Sequence, residues 1–175
     1  MGVRFRVLMP EVNETPLPNE AAEAYVARIA CLKATAAWRR VDAQRMKPYP
    51  VLAADTAVII GRRILGKPAT ARAAQTMLKS LSGRTHRVLT TVAVAYENRL
   101  RLSTSDTRVK FRRLSDEDIT RYVATPEPYD KAGGYGIQGL AAIFIAHIEG
   151  SYSGVMGLPV FETARLLKTF GIQVL

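Results

Sequence analysis

The sequence holds one cysteine, Cys31, and two histidines, His86 and His147. A single thiol cannot close an internal disulfide, and with two isolated histidines it excludes a zinc ribbon. A reducing cytoplasm is the setting to expect from this composition. No apolar run reaches the ~20 residues of a membrane-spanning helix, so a membrane is not an expected partner. No charged-then-apolar leader opens the chain, so secretion is not expected. Acidic residues are scarce: 15 against 25 lysines and arginines, a formal charge of +10. That excess attracts polyanions, whether nucleic acid, an acidic membrane or a nucleoside triphosphate. The basic residues are scattered in pairs such as Arg39–Arg40, Arg62–Arg63 and Arg112–Arg113 rather than gathered in a run or tail. Arg84 to Arg87 carries no aromatic interleaving, so no nucleic-acid stacking platform is supported and nucleic acid ranks last among the partners. Two catalytic motifs are also missing. There is no Gly-x-Ser-x-Gly elbow, and Gly66-Lys67-Pro68 lacks the glycine spacing and the following Ser or Thr of a P-loop.

What is present is material for a core. Hydrophobic residues make up 48% of 175, enough for one compact domain or two tightly joined lobes. Val3, Phe5 and Val7 alternate with Arg4 and Arg6, the period of a half-buried strand. Asn19 is placed to cap a helix with Glu20 and Glu23 in its first turn, and helical spacing continues to about Arg40. The apolar run from Val51 to Ile60, broken by Asp55 and Thr56, reads as a buried strand. Thr70 is a cap for a helix whose apolar face includes Ala74, Leu78 and Leu81, with Gly83 just beyond its end. Residues 88–96 and 100–111 read as two strands joined by a turn at Glu97–Asn98. Ser115 with Asp118 resembles a capping box. Residues 125–140 are too rich in glycine and proline for regular structure, and Ala142 to Ile148 reads as a strand. Pro159 opens a last helix, and Ile172 to Leu175 is a candidate edge strand. Helices mixed with strands, including one long hairpin, predict an α/β fold with a mixed sheet.

Three features bear on chemistry. Asp55 interrupts an apolar strand, where a carboxylate must be paired, hydrogen-bonded or metal-bound. It reads equally well as a residue at the end of the buried stretch that caps a turn. Glu14, in a loop, is unremarkable alone. Lys33, Lys67 and Lys131 lie beside turns or proline; point-charge ammonium groups suit a triphosphate, though any one of them alone is an ordinary surface charge. Gly133-Gly134-Tyr135-Gly136-Ile137-Gln138-Gly139 packs four glycines into seven residues, as a loop closely approached by a ligand does, or as a plain connection. Gln138 offers both a donor and an acceptor, as base-edge recognition requires.

Taken in order, these pieces resemble the Maf family of nucleotide pyrophosphatases. The resemblance rests on Asn13-Glu14-Thr15, Arg28-Ile29-Ala30 with Lys33-Ala34, Leu52-Ala53-Ala54-Asp55-Thr56, and Gly66-Lys67-Pro68. It continues through Leu81-Ser82-Gly83 with His86, Glu127-Pro128, Asp130-Lys131-Ala132-Gly133, Tyr135-Gly136-Ile137-Gln138-Gly139, and Gly150-Ser151-Tyr152 with Val155 to Pro159. It implies a two-lobed α/β fold around an elongated mixed sheet flanked by helices, one Maf-like domain over residues 1–175. It also implies hydrolysis of nucleoside triphosphates at the α-phosphate with a divalent cation, Mg2+ or Mn2+. Asp55 matches the proton acceptor for the attacking water, and Glu14 its acidic partner; both are expected metal ligands. Lys33 and Lys67 match phosphate-binding lysines, with Lys131 beside the substrate, and Thr56 and Gln138 match positions tied to base preference. The Asp130–Gly139 segment resembles the branch acting on dTTP and UTP, with CTP and modified pyrimidine nucleotides as further candidate substrates. A homodimer is common in the family, as is a link to septum formation. That link motivates a rival expectation: a catalytically impaired nucleotide-binding protein with a role in cell division. The family's opening strand, Ser-Pro-Arg loop and first helix have no counterpart in this sequence. About twenty residues are therefore expected to be missing relative to the family, with weaker triphosphate binding as the consequence.

Overall fold

The computed structural model describes residues 1–175. Five strands form one sheet in the order β2-β1-β3-β4-β5: β1 Val51–Ile60, β2 Arg63–Leu65, β3 Thr85–Tyr96, β4 Arg99–Phe111 and β5 Ile145–Glu149. Five helices flank it: α1 Ala22–Ala43, α2 Ala71–Leu81, α3 Asp116–Val123, the single turn α4 Tyr152–Val155, and α5 Val160–Lys168. The expected α/β class is observed. The mixed sheet is not: all four pairings are antiparallel. A tight turn at Gly61–Arg62 reverses the chain into β2, so after α2 the chain enters β3 running against β1. A parallel neighbour needs a crossover instead.

The two faces of the sheet are covered differently. Odd-numbered residues of β3 face α1, where Val26 packs with Ala57, Ile59 and Leu89, and Ala30 and Ala34 meet Ala93 and Ala95. Alanine on both sides allows the helix to sit close to the sheet. Even-numbered residues face the other side. There α2, α3 and the irregular 125–144 region enclose the largest core, including Val58, Val88, Phe111, Tyr122, Tyr135 and Phe144. Further along that face, Val92 and Val94 pack against Leu166 and Leu167 of α5. Thr90 and Thr56 are directly opposite each other in the ladder, between these two apolar regions. This placement comes only from register.

Local signals account for most boundaries. Thr70 caps α2 by accepting from Ala73 N–H, and Ser115 and Asp118 close the capping box reciprocally. The β3–β4 turn puts Glu97 at φ 53°, and Gly83 follows α2 at φ 67°. Other expectations fail. Val3–Val7 forms no strand; it has no sheet neighbour, and Phe5 and Val7 are 86% and 69% exposed. Alternation supplies a face, but a strand also needs a partner edge. Residues 172–175 likewise lie outside the sheet, with Ile172 and Val174 packed beside the α5 core. Asn19 does not cap α1: it sits in a left-handed turn at φ 57°, and Ala21 is the residue before the helix. Glu20 therefore precedes the helix and grips Arg28 through both oxygens at 2.6 and 2.7 Å. Residues 140–144 are a 3-10 turn, so the strand expected from Ala142 begins at Ile145.

Candidate active site

The short reach of β2 creates the site. It pairs only with Val58–Ile60, so from Val51 to Ala57 strand β1 has a neighbour on one side alone. At that free edge a cleft of about 660 Å³ is reached from both faces of the sheet. Asp55 and Thr56 are successive residues and point to opposite faces, yet both line this cleft. All seven residues singled out from the sequence line it: Glu14, Lys33, Asp55, Thr56, Lys67, Lys131 and Gln138.

Three of them form one cluster. The Lys33 ammonium, carried by α1, donates to Asp55 Oδ1 at 2.8 Å and lies 2.8 Å from Glu14 Oε1. Asp55 is 8% exposed, and its second oxygen, Oδ2, is buried without any partner. Burial pushes the Asp55 carboxyl pKa up, and the bond from Lys33 only partly opposes that shift. Burial works against the Lys33 ammonium too, but bonds to two carboxylates outweigh it, so its pKa rises. One cation thus holds two anions, leaving one unit of negative charge. Glu14 reaches the cluster from an irregular segment tied to α1: its carbonyl accepts from the Tyr25 hydroxyl at 3.1 Å, and the Thr15 carbonyl accepts from Arg28 at 3.2 Å.

The remaining two lysines stand apart from the cluster. Lys67 follows β2, and the adjoining Gly66 carbonyl accepts from Gly133 N–H at 3.0 Å, joining this wall to the glycine-rich loop. Lys131 pairs with its neighbour Asp130 at 2.9 Å on the exposed rim. Gly133 must be glycine: its φ is 73°, and a Cβ there would fall 2.9–3.1 Å from the Val58 side chain. Thr56 Oγ1 lies 2.9 Å from Thr90 Oγ1.

Two residues that the sequence marks only as parts of family motifs turn out to support the site. The Glu127 carboxylate accepts from Leu140 N–H at 2.7 Å, Ala141 N–H at 3.2 Å and the Tyr122 hydroxyl at 2.9 Å, pegging the far end of the loop that carries Gln138. The available signal was an acid at the start of a glycine-rich segment whose backbone N–H groups need acceptors. His86, treated as one lone histidine, is 2% exposed, and its Nε2 lies 2.7 Å from the Tyr135 hydroxyl. Burial pushes its pKa down to about 4, so it is neutral near pH 7. His147 is exposed on β5.

The donor set for a cation is small. No group of three or more His, Cys, Asp or Glu side chains converges anywhere in the chain. Glu14 and Asp55 offer two carboxylates, and Asp55 Oδ2 is an unpartnered hard oxygen. Mg2+ and Mn2+ accept one or two carboxylates when waters and phosphate oxygens complete the shell. The residues fit a cation delivered with a polyphosphate and do not form an all-protein cage.

Fold and cleft together define an α/β protein with an anionic Asp–Lys–Glu cluster on a free strand edge and lysines around a pocket of nucleotide size. The chain belongs to the Maf-like protein family, whose sequence profile matches residues 1–170. Three similar proteins carry the name dTTP/UTP pyrophosphatase. One from Pasteurella multocida is 48% identical over 178 residues, 99% of this chain and 89% of that protein. One from Aromatoleum aromaticum is 50% identical over 180 residues, 98% and 87% of the two chains. One from Ralstonia nicotianae is 50% identical over 181 residues, 99% and 87%.

Proposed function

We propose that this protein hydrolyses dTTP and UTP to the monophosphate and pyrophosphate. The single observation that carries the reading is the buried Asp55 carboxylate, bonded to Lys33 and opening with it onto the cleft that Lys67 and Lys131 also line. The reading is further supported by relatives of that name at about half identity across nearly the whole chain.

In this mechanism, a water beside Asp55 attacks the α-phosphorus. Its oxygen forms the new bond to phosphorus while Asp55 takes its proton. The bond from the α-phosphorus to the α,β-bridging oxygen breaks, and its electron pair leaves with pyrophosphate. A carboxylate held above its ordinary pKa by burial is a stronger base than an exposed one, which suits this role. Lys33 keeps Asp55 ionised and aimed. Lys67 and Lys131 bind the non-bridging oxygens, where they offset the charge that develops. Glu14 and Asp55 are the residues that would hold Mg2+ or Mn2+, which when bound supplies further charge neutralisation on the phosphates. Thr56 and Gln138 face the base.

A panel of nucleoside triphosphates with Mg2+ or Mn2+, scored for pyrophosphate, tests the reading. Pyrophosphate from dTTP and UTP ahead of purine nucleotides is expected; no pyrophosphate from any of them would end it. Two observations favour a second reading, nucleotide binding without turnover: no arginine lines the cleft, and Lys33 is already committed to two carboxylates. Retained metal-dependent binding in the absence of hydrolysis would select it.

A further inference from the structure

Thr90 is wholly buried, yet its hydroxyl is not idle. It donates to the Gly154 carbonyl at 2.7 Å, because a carbonyl can only accept. Its single proton is therefore used. The Thr56 hydroxyl, 2.9 Å away, must then be the donor in the Thr56–Thr90 contact, with Thr90 accepting. That uses the only proton of Thr56. What Thr56 turns toward the cleft is lone pairs, and no donor in the protein meets them.

We infer that Thr90 is a positioning residue for base choice, fixing Thr56 as an obligate hydrogen-bond acceptor so that the cleft selects bases presenting an imide N–H. The inference rests on the proposed reading in taking Thr56 to face the base, and on that reading it sets Thr56 against N3. Uracil and thymine carry a proton on N3 and satisfy that acceptor. Cytosine presents a bare N3 lone pair, so two acceptors oppose each other and both lose their water. The 5-methyl group that separates thymine from uracil lies outside this contact, so one relay serves both bases. The anchoring carbonyl is itself held: Gly154 N–H donates to Ser151 Oγ at 3.0 Å, and a Cβ on Gly154 would fall 2.8 Å from Ser105 Oγ. The relay crosses from β1 through β3 to α4, three elements brought together only by the fold.

The experiment measures binding by calorimetry rather than turnover, using α,β-methylene analogues of UTP and CTP. Its outcome therefore does not depend on whether the protein is a pyrophosphatase. Wild type should favour the uracil analogue by about tenfold or more, the cost of leaving one buried acceptor unpaired. Thr90→Val, which frees the Thr56 proton to swing into the cleft, should erase most of that preference. Thr90→Ser, which restores the relay, should keep it. A merely structural role for Thr90 would weaken both ligands equally. If Thr90→Val does not fold, N3-methyl-UTP tests the wild-type protein directly: it keeps both ring carbonyls but has no N3–H to donate, and its affinity should fall about tenfold or more. Equal wild-type affinity for the two analogues, or a Thr90→Val ratio matching wild type, would overturn the inference.

Discussion

Replacing Lys33 with methionine isolates the electrostatics on which the site is built. The change removes one ammonium and leaves Asp55, 8% exposed, without its only side-chain partner. Removing one member of a buried ion pair is worth about 3–5 kcal/mol. Lys33 is 23% exposed and Asp55 has the option of taking up a proton, so about 2–3 kcal/mol at pH 8 is the reasonable expectation. Glu14 is half exposed and adds little. The deficit should depend on pH in a definite direction. In the variant, the folded-state Asp55 pKa lies far above its unfolded value, so between those two values the native state binds more protons than the unfolded state. Stability then falls as pH rises through that window, by up to about 1.4 kcal/mol per unit. The loss should shrink markedly at pH 5, and Asp55→Asn added to Lys33→Met should recover most of it at pH 8. Urea unfolding is readily followed through Trp38, the only tryptophan, which packs on Tyr96 with ring centroids 5.3 Å apart. A deficit identical at pH 5 and pH 8, or a double variant no more stable than Lys33→Met at pH 8, would refute the buried-charge argument.

Three further outcomes are expected. Asp55→Asn should leave a folded protein, checked by circular dichroism, with kcat lowered roughly a hundredfold or more; near-parental turnover would remove Asp55 from its role. In the metal-free protein the Asp55 carboxyl should titrate above the ordinary aspartate range by NMR, because burial raises its pKa; a value at or below that range would contradict the burial argument. The buried His86 pKa is depressed to about 4, so stability from keeping it neutral is present above the unfolded value near 6.5 and is lost as pH falls toward 4. About 3 kcal/mol is involved, and thermal melts of wild type against His86→Phe/Tyr135→Phe between pH 7 and pH 4 should show a flatter dependence in the double variant.

Sequence and structure agree where information is local. The bounds of β1, the Ser115–Asp118 box and the Glu97 turn follow from patterning and capping within a few residues. So does the notice drawn to Asp55, since a carboxylate in an apolar strand demands a partner. The partner itself, Lys33 at 22 residues' remove, emerged only with the fold: family resemblance marked Lys33 as a phosphate-binding lysine, and no spacing rule links a helix face to a strand. Non-local facts stayed hidden. Adjacent Thr90 and Thr91 are indistinguishable in sequence; the β1–β3 register sets Thr90 opposite Thr56, and the β3–β4 register sets Thr91 opposite Thr104. Glu127 stood out in sequence only as part of a family motif; its task, accepting from the Leu140 and Ala141 N–H groups, is set by the folded loop. Val3–Val7 has a strand's alternation but pairs with no strand of the sheet.

Hydrolysis of UTP in 18O-labelled water, with products resolved by mass spectrometry, addresses the proposed chemistry most directly. Attack at the α-phosphorus from the Asp55 side of the cleft puts the label into UMP and leaves pyrophosphate unlabelled. Label in pyrophosphate, or release of orthophosphate with UDP, would contradict the account.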